Sequence, residues 1–269
     1  FGRRIRAILL DKLAKGVKVA LVYDWLGSLN AHVRGFFKPL IEAGAEVRPY
    51  NPPAWTAGIG LFSRNHRKSL IIDEHTAFVS GLCISAAWNG KPAKGIEAWR
   101  DTGLALQGPI VQDVLAAFED TLISQGGTMP PLKRYENEDA MPAGSTRARV
   151  LATTPANINT MRLDLNIIGL ATQNLWITDA YFMPTRMYAQ GLINAAKDGV
   201  DVRILVPSTS DIKWIGAVSR TQYRSLLEAG VRVFEWNGSM IHAKMSVVDG
   251  VWARVGSTNL NFSSWFANR

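Results

Sequence analysis

Several common chemistries are missing from this sequence. Of 269 residues, Cys83 is the only cysteine. No disulfide within the chain and no Cys-x-x-Cys redox pair can be built. Histidine is almost as scarce, with only His32, His66, His75 and His242. No His, Cys, Asp or Glu cluster shows metal-ligand spacing, so neither a metal nor another cofactor is expected. No apolar run reaches the ~18 residues needed to span a bilayer. No signal-peptide pattern opens the chain. It starts at Phe1 without an initiator methionine and is read as a fragment, so an upstream membrane anchor would lie outside it.

What is present is a globular composition, 47% hydrophobic and 19% charged, with enough apolar surface for a sizeable core. The formal net charge of +8 and a pI near 9.7 favour anionic partners. Nucleic acid, anionic lipid and phosphorylated small molecules all qualify, and charge does not choose among them.

The chain divides into two similar halves. In the first, Arg3 to Gly16 carries Ile5, Leu9, Leu10 and Leu13 at helical spacing. Gly16 ends that helix, and a strand from Val17 to Asp24 follows. A helix from about Phe36 to Ala43 stops at Gly44. The strand Ala45 to Asn51 then leads through a Pro/Gly-containing loop to His66. The second half repeats this order with a helix from Met187 to Lys197, Gly199, and a strand from Val200 to Pro207. A helix from Val218 to Ala229, Gly230, and a strand from Val231 to Trp236 lead to His242. KGVKVALVYD matches DGVDVRILVP, and EAGAEVRPY matches EAGVRVFEW, as an internal duplication would produce.

Gly126 to Arg147, rich in Pro, Gly and charge, is the expected linker. Beyond it, Arg149 to Thr154 is predicted as a strand. Asn157 or Asn159 is predicted to cap a helix to about Thr172, and Asn174 to Phe182 to form a buried strand. This alternation predicts an α/β fold with a mostly parallel, helix-flanked sheet in each half. The expected organisation is a lobe over 1–125, a linker over 126–147 and a second lobe over 148–269, truncated at both chain ends.

One pattern recurs at the same step of each repeat: His66-x-Lys68-x4-Asp73 and His242-x-Lys244-x4-Asp249. On a strand, the His and Lys of each pair would point the same way. The apolar words SLII and MSVV behind them would anchor the strand. Lysine offers a point charge to non-bridging phosphate oxygens. Histidine serves as nucleophile or proton donor near neutral pH. Two such pairs supply a nucleophile and a general acid, the set that phosphodiester cleavage or phosphatidyl transfer requires. Asp73 and Asp249 complete each motif, and both precede a turn whose backbone they are expected to fix. After Asp249, Ser257 and Asn259 of GSTN offer donors for phosphate oxygens, and Gly256 permits close approach. The corresponding word after Asp73 is SGLC, with Cys83 in the asparagine position.

HRKSLIID and HAKMSVVDGVWARVGSTN resemble the paired HKD motifs of the phospholipase D superfamily. RNHRKSLIIDEHTAFVSG, WRDTGLALQGP, AYFMP, LLEAGVRVFEW and HAKMSVVDGVWARVGSTNLN resemble bacterial cardiolipin synthases, and the likeness covers nearly the whole chain. The resemblance implies two phospholipase D-like lobes with an active site at their interface. It also implies a phosphatidyltransferase that forms a phosphohistidine and makes cardiolipin and glycerol from phosphatidylglycerol, without a metal. One histidine attacks phosphorus. The other protonates the leaving alcohol and then deprotonates the incoming one. His66 is assigned as nucleophile and His242 as general acid; near-symmetry of the motifs leaves the reverse open. The lysines and Asn259 would hold the oxygens. In this superfamily a downstream carboxylate orients each histidine. Asp101 in WRDT matches for the first half, and the equivalent for the second would fall at or just beyond Arg269. The implied partners are an anionic phospholipid and a membrane surface, in a bacterial, membrane-associated protein. Nucleic acid is the less favoured substrate, and no oligomeric state is implied. Two other readings stay open: a phospholipase D-type phosphodiesterase or nuclease, and a catalytically inactive binder of anionic lipid or nucleic acid.

The remaining residues have plainer expectations. His32 and His75 are taken as surface residues and Cys83 as a small buried one. Most tryptophans, among them Trp25 and Trp214, are taken as packing residues, with Trp88 and Trp265 as candidates to line an apolar entry. Arg64, Arg67, Lys91, Lys94 and Arg100 cluster in sequence around the first motif. They suit either anion attraction or a solvated surface.

Overall fold

The computed structural model describes residues 1–53, 63–132, 143–155 and 157–269. The loop into His66 and the linker therefore fall partly outside the described residues, at 54–62 and 133–142. The chain forms two compact units. The first comprises Phe1–Phe78, Ala105–Ala152 and Arg269; the second comprises Val79–Leu104 and Thr153–Asn268. This differs from a simple division into halves. The segment 79–104, which follows the first motif in sequence, belongs with the second unit.

The first unit begins with α1 (Gly2–Ala14), β1 (Ala20–Asp24), α2 (Leu29–Val33), α3 (Lys38–Glu42) and β2 (Glu46–Tyr50). β1 and β2 are parallel, in register from Ala20↔Glu46 to Asp24↔Tyr50. Then come β3 (Ser69–Ile72), β4 (Thr76–Ser80) and β5 (Gly103–Gln107), hydrogen-bonded in that order, and α4 (Ile110–Ser124); Val79 and Ser80 of β4 and Gly103 and Leu104 of β5 are counted with the second unit. Val111, Val114, Leu115 and Leu122 form the buried stripe of α4.

The second unit contains α5 (Asn159–Leu170), β6 (Asn174–Thr178), α6 (Arg186–Lys197) and β7 (Asp201–Pro207). It continues with α7 (Lys213–Thr221), α8 (Tyr223–Glu228), β8 (Arg232–Trp236), β9 (Met245–Val248), β10 (Trp252–Val255) and α9 (Phe262–Phe266). Its sheet has the order β10-β9-β6-β7-β8. β6, β7 and β8 are parallel, as βα crossovers require. β9 runs antiparallel to β6 and β10. The short segment 237–244 leaves no room for another crossover helix, so β9 starts where β8 ends. The α/β architecture matches expectation, while the motif-bearing strand makes the sheet mixed.

The core of this unit follows from period-two burial along β7, where Val202, Ile204 and Val206 are covered. Leu175 and Ile177 of β6 join them, with Tyr188, Leu192 and Ala195 from one face of α6. Leu192 is fully buried, so Leu192→Ala is expected to cost about 2–5 kcal/mol.

The duplication is visible in the helix ends. Gly16 (φ 83°) and Gly44, Gly199 and Gly230 (each φ 92°) adopt the left-handed conformation that stops a helix. The next residue in each case, Val17, Ala45, Val200 or Val231, donates its N–H to the carbonyl five residues back, at 2.9–3.1 Å. Three expectations change. Arg149 to Thr154 is not a strand; Thr154 makes only an isolated bridge with Asn157. The helix expected from Val218 to Ala229 is two helices meeting at Gln222. His66, Lys68, His242 and Lys244 lie just before β3 and β9 rather than on them. Among the described residues, no helix is long and apolar enough to cross a membrane.

Candidate active site

Strand register assembles the second motif. β6 and β9 pair antiparallel with Thr178 opposite Met245. Asp179 and Lys244, each one step beyond that pair, therefore come to the same end of the sheet. Asp179 is completely buried and accepts backbone N–H groups from Tyr181 and Leu260, each at 2.8 Å. Burial pushes its carboxyl up from 3.8 to about 6, while the Lys244 charge and the two N–H groups pull the other way. Lys244 is 1% exposed. Burying an ammonium costs several kcal/mol unless it is paired. Its Nζ donates to the carbonyl of His242 and lies 2.9 Å from each ring nitrogen of that histidine. It also lies over the face of Tyr181, 5.6 Å from the ring centroid.

His242 is held from its other side. Its Nδ1 is 3.0 Å from Asp101 Oδ2, and both side chains are 5% exposed. With Nδ1–H given to the carboxylate, Nε2 is left as the ring atom that can carry and exchange a proton. The segment carrying Asp101 is fixed by backbone bonds. Arg100 N–H donates to Met240 O at 2.9 Å, and His242 N–H donates to Arg100 O at 2.6 Å. Asp101 also accepts the indole N–H of Trp88 on Oδ2 and the N–H of Thr102 on Oδ1, both at 2.9 Å. Burial raises the Asp101 carboxyl, but the bonds from His242, Trp88 and Thr102 outweigh it and hold it below the ordinary carboxylate range. Gly81 leaves room for this carboxylate, since a Cβ there would overlap both of its oxygens. Trp88 meets the imidazole edge-on with centroids 4.9 Å apart, Trp99 stacks on it at 5.8 Å, and Tyr181 approaches edge-on at 5.8 Å.

This placement corrects the expected pairing of Asp101. The sequence set it with His66, its neighbour in the first half; the structure bonds it to His242, because 79–104 belongs to the second unit. His242 thus has an orienting carboxylate despite the short sequence after its own motif.

Asp249 has a different task. Its carboxylate accepts the N–H groups of Thr172, Gln173 and Asn174 and the hydroxyl of Thr172, all within 2.9 Å. Those backbone N–H groups lower its pKa to about 2. Asp249 ties the end of β9 to the start of β6. Asp73 (φ 52°) and Asp249 (φ 51°) share the left-handed turn that aspartate tolerates. Asn259 is buried; its Nδ2 is 3.5 Å from Ser264 Oγ, and its Oδ1 has no hydrogen-bond partner among the described residues. Ser257 is half-buried in the same GSTN word.

The first motif shows the same local pattern within its own unit. Lys68 Nζ donates to His66 O at 2.8 Å, as Lys244 does to His242 O. Arg269 N–H donates to Arg64 O, and His66 N–H donates to Arg269 O, as in the Arg100 arrangement. β3 is poorly anchored by comparison: Leu70 and Ile72 are 54% and 44% exposed, whereas Ser246 and Val248 of β9 are buried. The basic cluster expected around this motif is divided. Arg64 pairs with Asp24, and Arg67 donates to Ala117 O and Thr121 Oγ1 of α4. Lys91, Lys94 and Arg100 belong to the other unit, where Arg100 lies over the Trp236 ring.

Sequence reasoning gave no site role to Asp179, which feels the Lys244 charge, or to Tyr181 and Trp99, which pack on His242; their signals were the TDAYF word ending β6 for the first two and WRDT for Trp99. Trp265 is fully buried against Tyr188 and lines no entry. Trp214 is 61% exposed. Cys83 is half-buried rather than buried. Among the described residues, no group of three or more His, Cys, Asp or Glu is placed to hold a metal.

Comparison with known proteins fits this arrangement. The family model "Cardiolipin synthase, PLD-like domain" matches residues 165–269. Over those residues the chain resembles the phospholipase D superfamily. The chain is similar to bacterial cardiolipin synthases. It is 33% identical to the cardiolipin synthase of Alkalihalophilus pseudofirmus over 99% of this chain and 54% of that one. It is 32% identical to cardiolipin synthase A of Pseudomonas fluorescens over 99% and 55%. The chain thus spans about half the length of the curated relatives it matches. The phosphatidylserine synthase of Haemophilus influenzae shares the fold, with a TM-score of 0.61 and 15% identity over 98% of this chain and 71% of that one.

Proposed function

We propose that the protein transfers a phosphatidyl group from one phosphatidylglycerol to a second, giving cardiolipin and glycerol. The observation that carries this reading is the buried Asp101–His242–Lys244 arrangement within a chain similar to cardiolipin synthases along its length. His66 attacks phosphorus, forming a P–N bond as the P–O bond to glycerol breaks. His242 gives its proton to the departing glycerol oxygen. A hydroxyl of the second phosphatidylglycerol then attacks phosphorus, returns its proton to His242 and releases His66. The assignment of His242 as general acid is supported by Asp101, because a buried carboxylate stabilises the imidazolium such an acid must carry. Lys68, Lys244, Ser257 and Asn259 hold non-bridging oxygens; turning the Asn259 amide puts its donors where Oδ1 stands. The lipid substrate places the protein at a bacterial membrane surface.

The test is product analysis with labelled phosphatidylglycerol. Cardiolipin with stoichiometric glycerol is expected. Phosphatidic acid in its place would assign a hydrolase. No product, with lipid still bound, would assign an inactive binder. Cleavage of single-stranded DNA in preference to lipid would assign a nuclease.

A further inference from the structure

We propose that Trp88 is a positioning residue whose indole N–H fixes the Asp101 carboxylate that orients His242. This deepens the phosphatidyl-transfer reading and rests on it for its kinetic consequences. Asp101 Oδ2 accepts two bonds, from His242 Nδ1 at 3.0 Å and from Trp88 Nε1 at 2.9 Å. Its other oxygen accepts the Thr102 N–H and lies against Gly81. The terminal torsion of an aspartate is broad, so one bond to an imidazole does not define the carboxylate plane. Donors on both oxygens do. Trp88 supplies the fixed donor on the oxygen that faces His242, and its ring edge also limits the tilt of the imidazole at 4.9 Å. A donor to a carboxylate favours its ionised form, the form that accepts Nδ1–H. Phenylalanine would keep a ring here but supply no donor.

The decisive measurement does not depend on activity. The side-chain carboxyl of Asp101 is titrated by 13C NMR in the whole protein and in Trp88→Phe. Loss of the N–H is expected to raise the Asp101 midpoint by about one pH unit. An unchanged midpoint overturns the proposal. Kinetically, kcat is expected to fall about tenfold with KM for phosphatidylglycerol within about twofold, and the acid limb of kcat/KM to move up with the midpoint. A change in KM alone would also overturn it. If Trp88→Phe does not fold, benzothienylalanine at position 88 keeps the bicyclic shape with sulfur in place of N–H, and the same midpoint decides. Should the unaltered protein make no cardiolipin, the transfer reading fails, and the Asp101 titration still decides whether Trp88 fixes the carboxylate.

Discussion

Asp101 and His242, 141 residues apart in sequence, share a 3.0 Å hydrogen bond inside one compact unit. The bond joins a segment that follows the first motif to the histidine that opens the second. Asp101→Asn keeps the shape but not the charge. It is expected to lower the rate of cardiolipin formation about 100-fold or more while circular dichroism stays unchanged. A rate within about threefold of the unaltered protein would show that the carboxylate does not orient His242.

Gly81 is the second handle on the same contact. A methyl group there would displace the Asp101 carboxylate from both of its oxygen positions. Gly81→Ala is expected to cost at least about tenfold in kcat. Gly169, where a Cβ meets nothing within 4 Å, provides the control. Gly169→Ala lies in α5 and should be neutral or stabilising by up to about 1 kcal/mol. Equal activities for the two variants would refute the steric argument.

Asp179 predicts a pH dependence of stability with a definite sign. Its folded value, about 6, lies above its unfolded value near 3.8. The folded chain therefore holds this proton more tightly, and the associated stability is full below about pH 4 and lost as pH rises through about 6. The loss is on the order of 2 kcal/mol. Asp179→Asn removes that slope. It adds a pH-independent cost of about 1–3 kcal/mol, because one of the two backbone N–H groups loses its acceptor. Urea unfolding at about pH 4.5 and about pH 7 checks this; parallel slopes for the two proteins would contradict it.

Asp249 has the opposite sign. Its folded value is lowered to about 2 by three backbone N–H groups. Its contribution is full above about pH 4 and lost as pH falls through about 2. Asp249→Ala should lower Tm by roughly 5 °C at neutral pH. The gap should narrow on acidification, as thermal unfolding across the acid range will show. A constant gap would mean that the turn 172–174 is held by something else.

Much of this was legible in the sequence. Helix-ending glycines such as Gly44 and Gly199 and the alternation along Val200 to Pro207 marked the repeated βα units, because those signals are local. The His-Lys-Asp spacing marked both motifs for the same reason. Three features were not legible because they depend on long-range register. The partner of Asp101 could not be read from chain proximity when 79–104 joins the other unit. Asp179 became a site residue only when β9 paired antiparallel with β6. Arg64 and Arg67 looked like a free basic patch until Asp24 and the carbonyl of Ala117 gave them partners.

The proposed reaction is phosphodiester chemistry through a pair of histidines, one held by Asp101. Trapping the covalent intermediate with 32P-labelled phosphatidylglycerol tests it most directly. The label should be captured on His66 in His242→Ala, where attack can occur but turnover stalls, and should be absent in His66→Ala. Label on His242, or equal labelling of both variants, would contradict the account.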